Sequence, residues 1–318
     1  MKLATSTGDF DWYIASVVEQ VENYKDSKFK YINLELSKSI SALFNDNEED
    51  LQTLANELQQ AADYAGVKYV VAHAPCLHFA RMEVFDNPND EIYQSTVRAI
   101  RRSIKLCHLL GIKRIVVHAC ISLECDFTKE MFYRYNKKFY SEFFDLMEKY
   151  DIFVMTENWD STYPLFATGK QISDFLTDVG HPLLAACWDT AHGNIDQTSR
   201  EIGQYQNIID IGERLKGVHI ADNFGDCHHH TWPFAGIINF DSVMQGLLDV
   251  KYDGYFTFEA AYTLLHQKNM PHQRQSWAYQ GKTVDKLLSP SLDLKKKGID
   301  LLYETGKHIL SMYDGFEL

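Results

Sequence analysis

Histidines and carboxylic acids stand at the ends of several short apolar runs in this sequence. The residues concerned are His73, His118, Glu157, Asp189, His219 and Glu259, with His192 three positions after Asp189. Imidazole and carboxylate groups bind divalent metal ions, and they also accept and donate protons. A single histidine or carboxylic acid at such a position does not indicate a functional site, because it can cap a helix or form a structural hydrogen bond. Six runs that end in this way predict a metal site, an acid-base site, or both.

A second concentration of metal-binding side chains lies within "VHIADNFGDCHHHTWPFAG", residues 218–236. This segment contains Asp226 and three consecutive histidines, His228, His229 and His230. Expression tags stand at chain ends, whereas this triplet lies deep inside the sequence. We interpret the segment as a loop with a chemical role, since a proline and a glycine follow the triplet.

Eight short runs rich in β-branched and aromatic residues alternate with longer amphipathic stretches. The runs are "KLATS", "KYINLEL", "KYVVAHA", "RIVVHAC", "IFVMTEN", "LLAACWD", "KGVHIAD" and "YFTFEA". This alternation is the pattern of repeated βα units and of a parallel sheet. It predicts an α/β protein with a closed (β/α)8 barrel, the TIM-barrel fold. No linker or repeat divides the sequence, so we expect residues 1–318 to form a single domain.

The stretches between the runs have helical periodicity. In "DLQTLANELQQAADYAG", leucines and alanines share one face, and Gly66 is predicted to end the helix. Further helices are predicted over "STVRAIRRSIKLCHLLG", "YNKKFYSEFFDLMEKY", "FDSVMQGLLDV" and "LLYETGKHILSMY". The carboxyl ends of barrel strands open on one face, so the residues that end the strands are predicted to converge there. Buried carboxylates crowded in this way are stabilised by a divalent cation.

The charge balance restricts the partners. Asp and Glu number 44 against 31 Lys and Arg, which gives a net charge of -13. Such a surface repels a phosphate backbone, so we expect no nucleic-acid partner.

The sequence has no signal-peptide pattern and no apolar stretch near the roughly 18 residues of a membrane span. We therefore expect a cytoplasmic protein without a membrane partner. Its six cysteines include no CxxC pair, which disfavours a disulfide framework.

Four motifs, "TEN", "WDTAHGN", "VHIAD" and "FTFEA", resemble those of the xylose isomerase-like barrel superfamily. That superfamily includes sugar isomerases and epimerases and the endonuclease IV group, and the resemblance covers nearly the whole chain. It implies one divalent ion, Mn²⁺, Co²⁺, Mg²⁺ or Zn²⁺, held by Glu157, Asp189, His219 and Glu259. It also implies that Glu157 and Glu259 face opposite sides of a bound sugar. One glutamate would remove a proton next to a carbonyl, and the other would return it.

The same resemblance implies further contacts. His192 and His73 are expected at the substrate or at an additional metal ion. In the endonuclease IV group two strand-end histidines and an Asp-x-His pair hold extra zinc ions, and His73 and His118 match the first two. The pair is matched by Asp226 and His228 in one register and by His228 and His230 in another. Aromatic rings can stack on a sugar face, and those expected beside the site are Trp159, Trp188, Trp232 and Phe234.

The leading prediction is a divalent-metal-dependent isomerase or epimerase of a sugar, sugar phosphate or polyol-derived ketone, with proton transfer through a metal-stabilised enediolate. A multi-zinc phosphoesterase like endonuclease IV is the alternative, and a non-catalytic metal-binding or sugar-binding barrel is the third reading. Related ketose 3-epimerases carry an arginine in the loop after strand 7, but this chain has none between His219 and Gly236. The substrate therefore stays open. It also stays open whether the segment from Tyr262 to Lys282 covers the site or makes a contact in a homo-oligomer.

Overall fold

The barrel is closed and follows the order of the sequence. A computed structural model describes residues 1–76, 87, 89–120, 128–159, 166–264 and 290–313. Within this part of the chain each strand pairs in parallel with the next, and the eighth pairs with the first. The strands are β1 (Lys2–Ser6), β2 (Tyr31–Glu35), β3 (Lys68–His73), β4 (Arg114–Val116), β5 (Phe153–Glu157), β6 (Leu184–Asp189), β7 (Leu215–Ile220) and β8 (Tyr255–Phe258). All eight predicted strands and the predicted (β/α)8 barrel are confirmed.

Helices surround the strands. They are α1 (Val17–Glu22), α2 (Glu48–Ala65), α3 (Glu91–Leu109), α4 (Lys129–Ser141), α5 (Phe144–Tyr150), α6 (Gly169–Val179), α7 (Thr190–Ile195), α8 (Gln197–Ile202), α9 (Gln204–Ile211), α10 (Phe240–Asp249) and α11 (Leu292–Ser311). Among the described residues, none of the helices has the length and apolar character needed to cross a membrane.

Of two predicted helices, the end of the first is confirmed and the extent of the second is wrong. Helix α2 ends at Gly66, as predicted, because this residue adopts a left-handed φ of 68° that favours glycine. The single helix predicted over residues 135–150 is wrong, since α4 and α5 are separate helices. A turn at Glu142 and Phe143 divides them, and it buries the Phe143 ring at 5.0 Å from the ring of Phe139.

The barrel interior is filled by small and flexible apolar side chains. They are Val71, Val116, Met155, Ala185 and Cys187. Gly217 completes this layer, because a Cβ atom there would lie 2.9 Å from Met155 Sδ and 3.2 Å from Cys187 Sγ. The residues at the carboxyl ends of the strands therefore lie above a closely packed barrel interior.

Side chains of β6 alternate between the barrel interior and the helices. Cys187 packs inside the barrel, whereas Trp188 packs with the outer apolar core and is fully buried. The indole Nε1 of Trp188 donates a hydrogen bond to Gln204 Oε1 at 2.8 Å. The expectation that Trp188 lies beside the site is thus wrong, because residues adjacent in a strand point to opposite faces.

Candidate metal centre and active site

Four side chains from the last four strands meet at the carboxyl end of the barrel. Glu157, Asp189, His219 and Glu259 each offer one ligand atom, and these atoms lie within 4.8 Å of one another. Nδ1 of His219 is 3.0 Å from Glu157 Oε1 and 2.7 Å from Glu259 Oε2. The structure brings together the four residues that the sequence motifs single out.

Several buried atoms of this group lack a hydrogen-bond partner among the described residues. They are Asp189 Oδ2, His219 Nε2 and Glu259 Oε2. Although Glu259 Oε2 is close to the imidazole of His219, the two groups do not have hydrogen-bond geometry. A buried polar atom without a partner costs free energy. A cation bound by the carboxylates would remove that cost for Asp189 Oδ2 and Glu259 Oε2, and three carboxylates with one imidazole fit Mn²⁺, Co²⁺, Mg²⁺ or Zn²⁺.

Crowding changes the acidity of these groups. Burial, together with the neighbouring charges of Glu157 and Glu259, raises the pKa of Asp189 to about 7. Burial also opposes the ionisation of Glu157, but His219, His118 and His73 outweigh it and hold the pKa of Glu157 well below its usual range. The pKa of Glu259 is lowered despite its burial, chiefly by His219. Asp189 is therefore the carboxyl group that holds a proton near neutral pH.

We expect the affinity for a divalent ion to fall as the pH drops below about 7, because the ion must then displace the proton of Asp189. Above that pH the carboxylate is ionised and the proton no longer competes. A competition titration with a calibrated chelator, between roughly pH 5.5 and pH 8.5, measures this dependence. The Asp189→Asn variant serves as the matched comparison and should show weaker binding with a shallower pH dependence. An equal pH dependence of metal affinity in the native protein and in Asp189→Asn would contradict the assignment of the competing proton to Asp189.

A second group of donors adjoins the first. Nε2 of His73 and Nε2 of His118 are 3.0 Å apart, and they lie 3.5 Å and 3.0 Å from Glu157 Oε2. His73, His118 and Glu157 together have the spacing of a metal-binding group. Because the other carboxylate oxygen of Glu157 faces His219, this glutamate connects the two groups.

A third group consists of His192, His228 and His230. Nδ1 of His228 lies 3.2 Å from Nε2 of His230, and the rings of His192 and His228 have their centroids 4.6 Å apart. Burial lowers the pKa of His192 to about 4, so this imidazole is neutral and suited to act as a ligand. Nδ1 of His192 approaches the Asn158 carbonyl oxygen at 2.9 Å, which fixes the orientation of the ring.

The two possible registers of the loop after β7 are distinguished by its geometry. His228 and His230 face His192, whereas Asp226 lies with Cys227 and His229 in a separate group. The structure therefore brings the His228 and His230 pair to the site and does not bring Asp226 there. Asp226 Oδ1 instead lies 3.3 Å from Nδ1 of His229, and Cys227 Sγ contacts the same ring.

Only part of the expected aromatic wall adjoins these groups. The Trp159 ring lies 4.6 Å from the His118 ring and 5.7 Å from the His192 ring, measured between centroids. In contrast, Phe234 is 63% exposed and contacts Phe240 and His308. Trp232 packs against Gly298 of helix α11. Trp159 is thus the aromatic residue of the predicted set that the structure brings to the donor groups.

Sequence reasoning missed a carboxylate on β2. Glu35 Oε2 lies 3.8 Å from His73 Nδ1, and Glu35 Oε1 accepts hydrogen bonds from Ser6 Oγ and Asn33 Nδ2. The signal was present, because "KYINLEL" contains an acidic residue at the end of its strand just as the later runs do. Glu35 adds a further carboxyl group beside His73, and burial raises its pKa above the usual range.

The loop after β7 is held by a buried carboxylate that sequence reasoning also missed. Asp222 Oδ1 accepts hydrogen bonds from the backbone N–H groups of Asn223 and Ile238, and Oδ2 accepts one from Gly236. Asp222 also pairs with Thr231 through two antiparallel backbone hydrogen bonds. These hydrogen bonds hold the backbone of the loop that carries the histidine triplet.

The sequence analysis also singles out the segment from Tyr262 to Lys282. Its residues 265–282 lie outside the described residues. The ring of Tyr262 lies 5.0 Å from the ring of His230, measured between centroids.

A family model described as "Xylose isomerase-like TIM barrel" matches residues 21–280. The uncharacterized protein y4fM of Sinorhizobium fredii is 26% identical over 270 residues, which are 78% of this chain and 82% of that protein. A ketose 3-epimerase of Arthrobacter globiformis is 30% identical over 93 residues, which are 29% of each chain.

The fold also has solved counterparts. The structure of a D-psicose 3-epimerase with D-tagatose, from Clostridium cellulolyticum H10, superimposes with a TM-score of 0.71 at 15% sequence identity. The match covers 98% of this chain and 99% of that chain. It shows that the two proteins share the barrel fold.

Proposed function

Because the chain belongs to the xylose isomerase-like TIM barrel family, we propose that it is a divalent-metal-dependent isomerase or epimerase. Its substrate would be a sugar, a sugar phosphate or a polyol-derived ketone. The observation that carries the proposal is the convergence of Glu157, Asp189, His219 and Glu259 around buried ligand atoms without partners. Similarity to a ketose 3-epimerase supports a small carbohydrate as the partner, and we propose no role for nucleic acid.

The four residues divide into two roles in this proposal. Asp189 and His219 hold the metal ion, and Glu157 and Glu259 both bind it and exchange protons with the substrate. When bound, a divalent ion polarises the substrate carbonyl and stabilises the negative charge that develops on its oxygen. Glu157 is kept ionised by the surrounding histidines, so it is ready to accept the proton next to the carbonyl. Glu259 is also kept ionised, and it exchanges a proton with the substrate on the face opposite to Glu157.

Neighbouring side chains complete the pocket in the same proposal. Trp159 offers a flat ring next to His118 and His192, and such a ring can stack on the apolar face of a sugar. His73 and His192 lie close to Glu157, and their imidazoles would form hydrogen bonds with substrate hydroxyl groups. Orientation by several fixed contacts is what makes the proton transfer efficient.

The experiment that tests the function is hydrogen exchange with the solvent. Metal-loaded protein is incubated in deuterated water with free ketoses, their phosphates and cyclic polyol ketones. We expect deuterium to enter the carbon next to the carbonyl of one of them, together with formation of an isomer or epimer. Binding of a carbohydrate without any exchange would instead favour the reading as a non-catalytic binding barrel.

A second candidate function is a multi-zinc phosphoesterase. It is favoured by one observation: His73 and His118 face one oxygen of Glu157 while His219 faces the other, so that this carboxylate could bridge two ions. The third group, His192, His228 and His230, adds donors for another ion. The net charge of -13 weighs against binding of duplex DNA. Cleavage of DNA with abasic sites by the zinc-loaded protein would move this candidate ahead of the first.

A further inference from the structure

The loop between Asp222 and Thr231 presents metal-binding side chains on two faces. His228 contacts His230 on the face that meets His192. Cys227 and His229 contact each other on the other face. The two faces thus carry different donors, imidazole alone on the first and thiol with imidazole on the second.

The outer group also includes a carboxylate. Asp226 Oδ1 lies 3.3 Å from Nδ1 of His229, and that nitrogen lies 3.6 Å from Cys227 Sγ. Zn²⁺ bonds of about 2.3 Å to sulfur and 2.0–2.1 Å to nitrogen or oxygen, at tetrahedral angles, place sulfur about 3.5 Å and oxygen about 3.3 Å from the nitrogen. The two observed separations are close to these values, but Cys227 Sγ also lies 3.4 Å from Nε2 of the same ring, so the thiol must rotate toward the Nδ1 side to share an ion with it. The ligand atoms of the three residues lie within 4.8 Å of one another, which is close enough to reach one ion after that rotation.

We propose that Asp226, Cys227 and His229 form a peripheral site for a borderline divalent cation, Zn²⁺ or Co²⁺. Thiolate and imidazole donors select such ions over Mg²⁺ and Ca²⁺. Three protein ligands leave the fourth position to water, and Asp226 is exposed, so the ion exchanges more readily than an ion at the buried centre. The site is separate from the four-residue centre, and it does not depend on the proposed sugar chemistry.

Binding requires small local changes. Nδ1 of His229 lies 3.1 Å from the carbonyl oxygen of Cys227, and it gives up that hydrogen bond when it becomes a ligand. The ring proton then resides on Nε2, and the Cys227 thiol loses its proton to the solvent. The backbone is already held on both sides, because Arg200 donates to the Gly225 carbonyl oxygen at 3.0 Å and Thr231 pairs with Asp222. The backbone that carries the three donor residues therefore loses little conformational freedom when an ion binds.

An ion at this site would stabilise the loop that carries His228 and His230. The two groups share the residues from Asp226 to His230, and His228 stands between Cys227 and His229, so fixing Cys227 and His229 restrains the backbone that carries His228. We expect the outer ion to order the inner histidines without contacting them. The inner and outer groups would then be coupled through the loop.

Cobalt titration of the intact protein tests the proposal. Ligation of Co²⁺ by a thiolate gives a charge-transfer absorption that carboxylate and imidazole ligands do not give. We expect this absorption to develop only after the central site has filled, to disappear in Cys227→Ser and to shift to at least about tenfold higher Co²⁺ concentration in His229→Gln. The control is Cys107→Ser, a buried thiol far along the chain that should leave the absorption unchanged.

Two results would overturn the proposal. One is the absence of any thiolate absorption in the native protein at saturating Co²⁺. The other is its persistence in Cys227→Ser, which would assign the thiolate to another residue such as Cys187 beside His219. Folding of each variant is checked by its circular dichroism spectrum. Retention of the first, tightly bound equivalent in Cys227→Ser separates this outcome from any failure of the central site.

Discussion

Replacing Glu157 by glutamine is expected to lower kcat by about 10³-fold or more and to weaken metal binding as well. Glu157 is the acceptor shared by His73, His118 and His219. A glutamine keeps the shape but can neither accept a proton at this position nor compensate the charge of a bound cation. Both effects are measured on one preparation, by turnover of the substrate found in the exchange experiment and by chelator competition.

The matched control for this variant is Glu213→Gln. Glu213 is exposed and lies in the short turn before β7, at the end of the barrel opposite to the site. It should leave both turnover and metal affinity unchanged. Turnover by Glu157→Gln within a few fold of the native rate would remove the proton-transfer role of Glu157.

Replacing Glu259 by glutamine should reduce interconversion by a similar factor, about 10²–10⁴-fold, with a smaller loss of metal. Glu259 faces the imidazole of His219 but is not surrounded by three histidines as Glu157 is. If the two glutamates act on opposite sides of the substrate, each variant still removes the proton from one epimer and cannot complete the reaction. Deuterium should then enter opposite epimers in the two variants.

The exchange pattern is read by mass spectrometry after incubation of each pure epimer with each variant in deuterated water. Exchange of the same epimer by both variants would contradict the division of roles between Glu157 and Glu259. Loss of all exchange together with full retention of metal in Glu259→Gln would instead assign both proton transfers to this one residue.

The architecture was predictable because strand runs and helix periodicity carry local signals. Each run ends where the barrel opens, so the positions of His73, Glu157 and Asp189 in the sequence were sufficient to expect their convergence. Family resemblance added the identity of the four-residue group. The same rule would also have identified Glu35 at the end of β2.

Other features depend on three-dimensional arrangement and were beyond the reach of pattern reasoning. The placement of the side chains in the loop after β7 depends on the way Asp222 and Thr231 close it, which sequence patterns do not reveal. The orientation of Trp188 follows from strand parity, and Phe234 lies exposed in a turn with a backbone φ of 72°. Proximity in sequence to a ligand therefore did not imply proximity in space.

The measurement that tests the central claim most directly is the metal content of the purified protein after dialysis, with His219→Ala beside it. The account predicts about one tightly held divalent ion per chain in the native protein, retained in Cys227→Ser and lost in His219→Ala, because His219 lies between the two glutamates. Equal metal content in the native protein and in His219→Ala, or no bound ion under any loading condition, would contradict it.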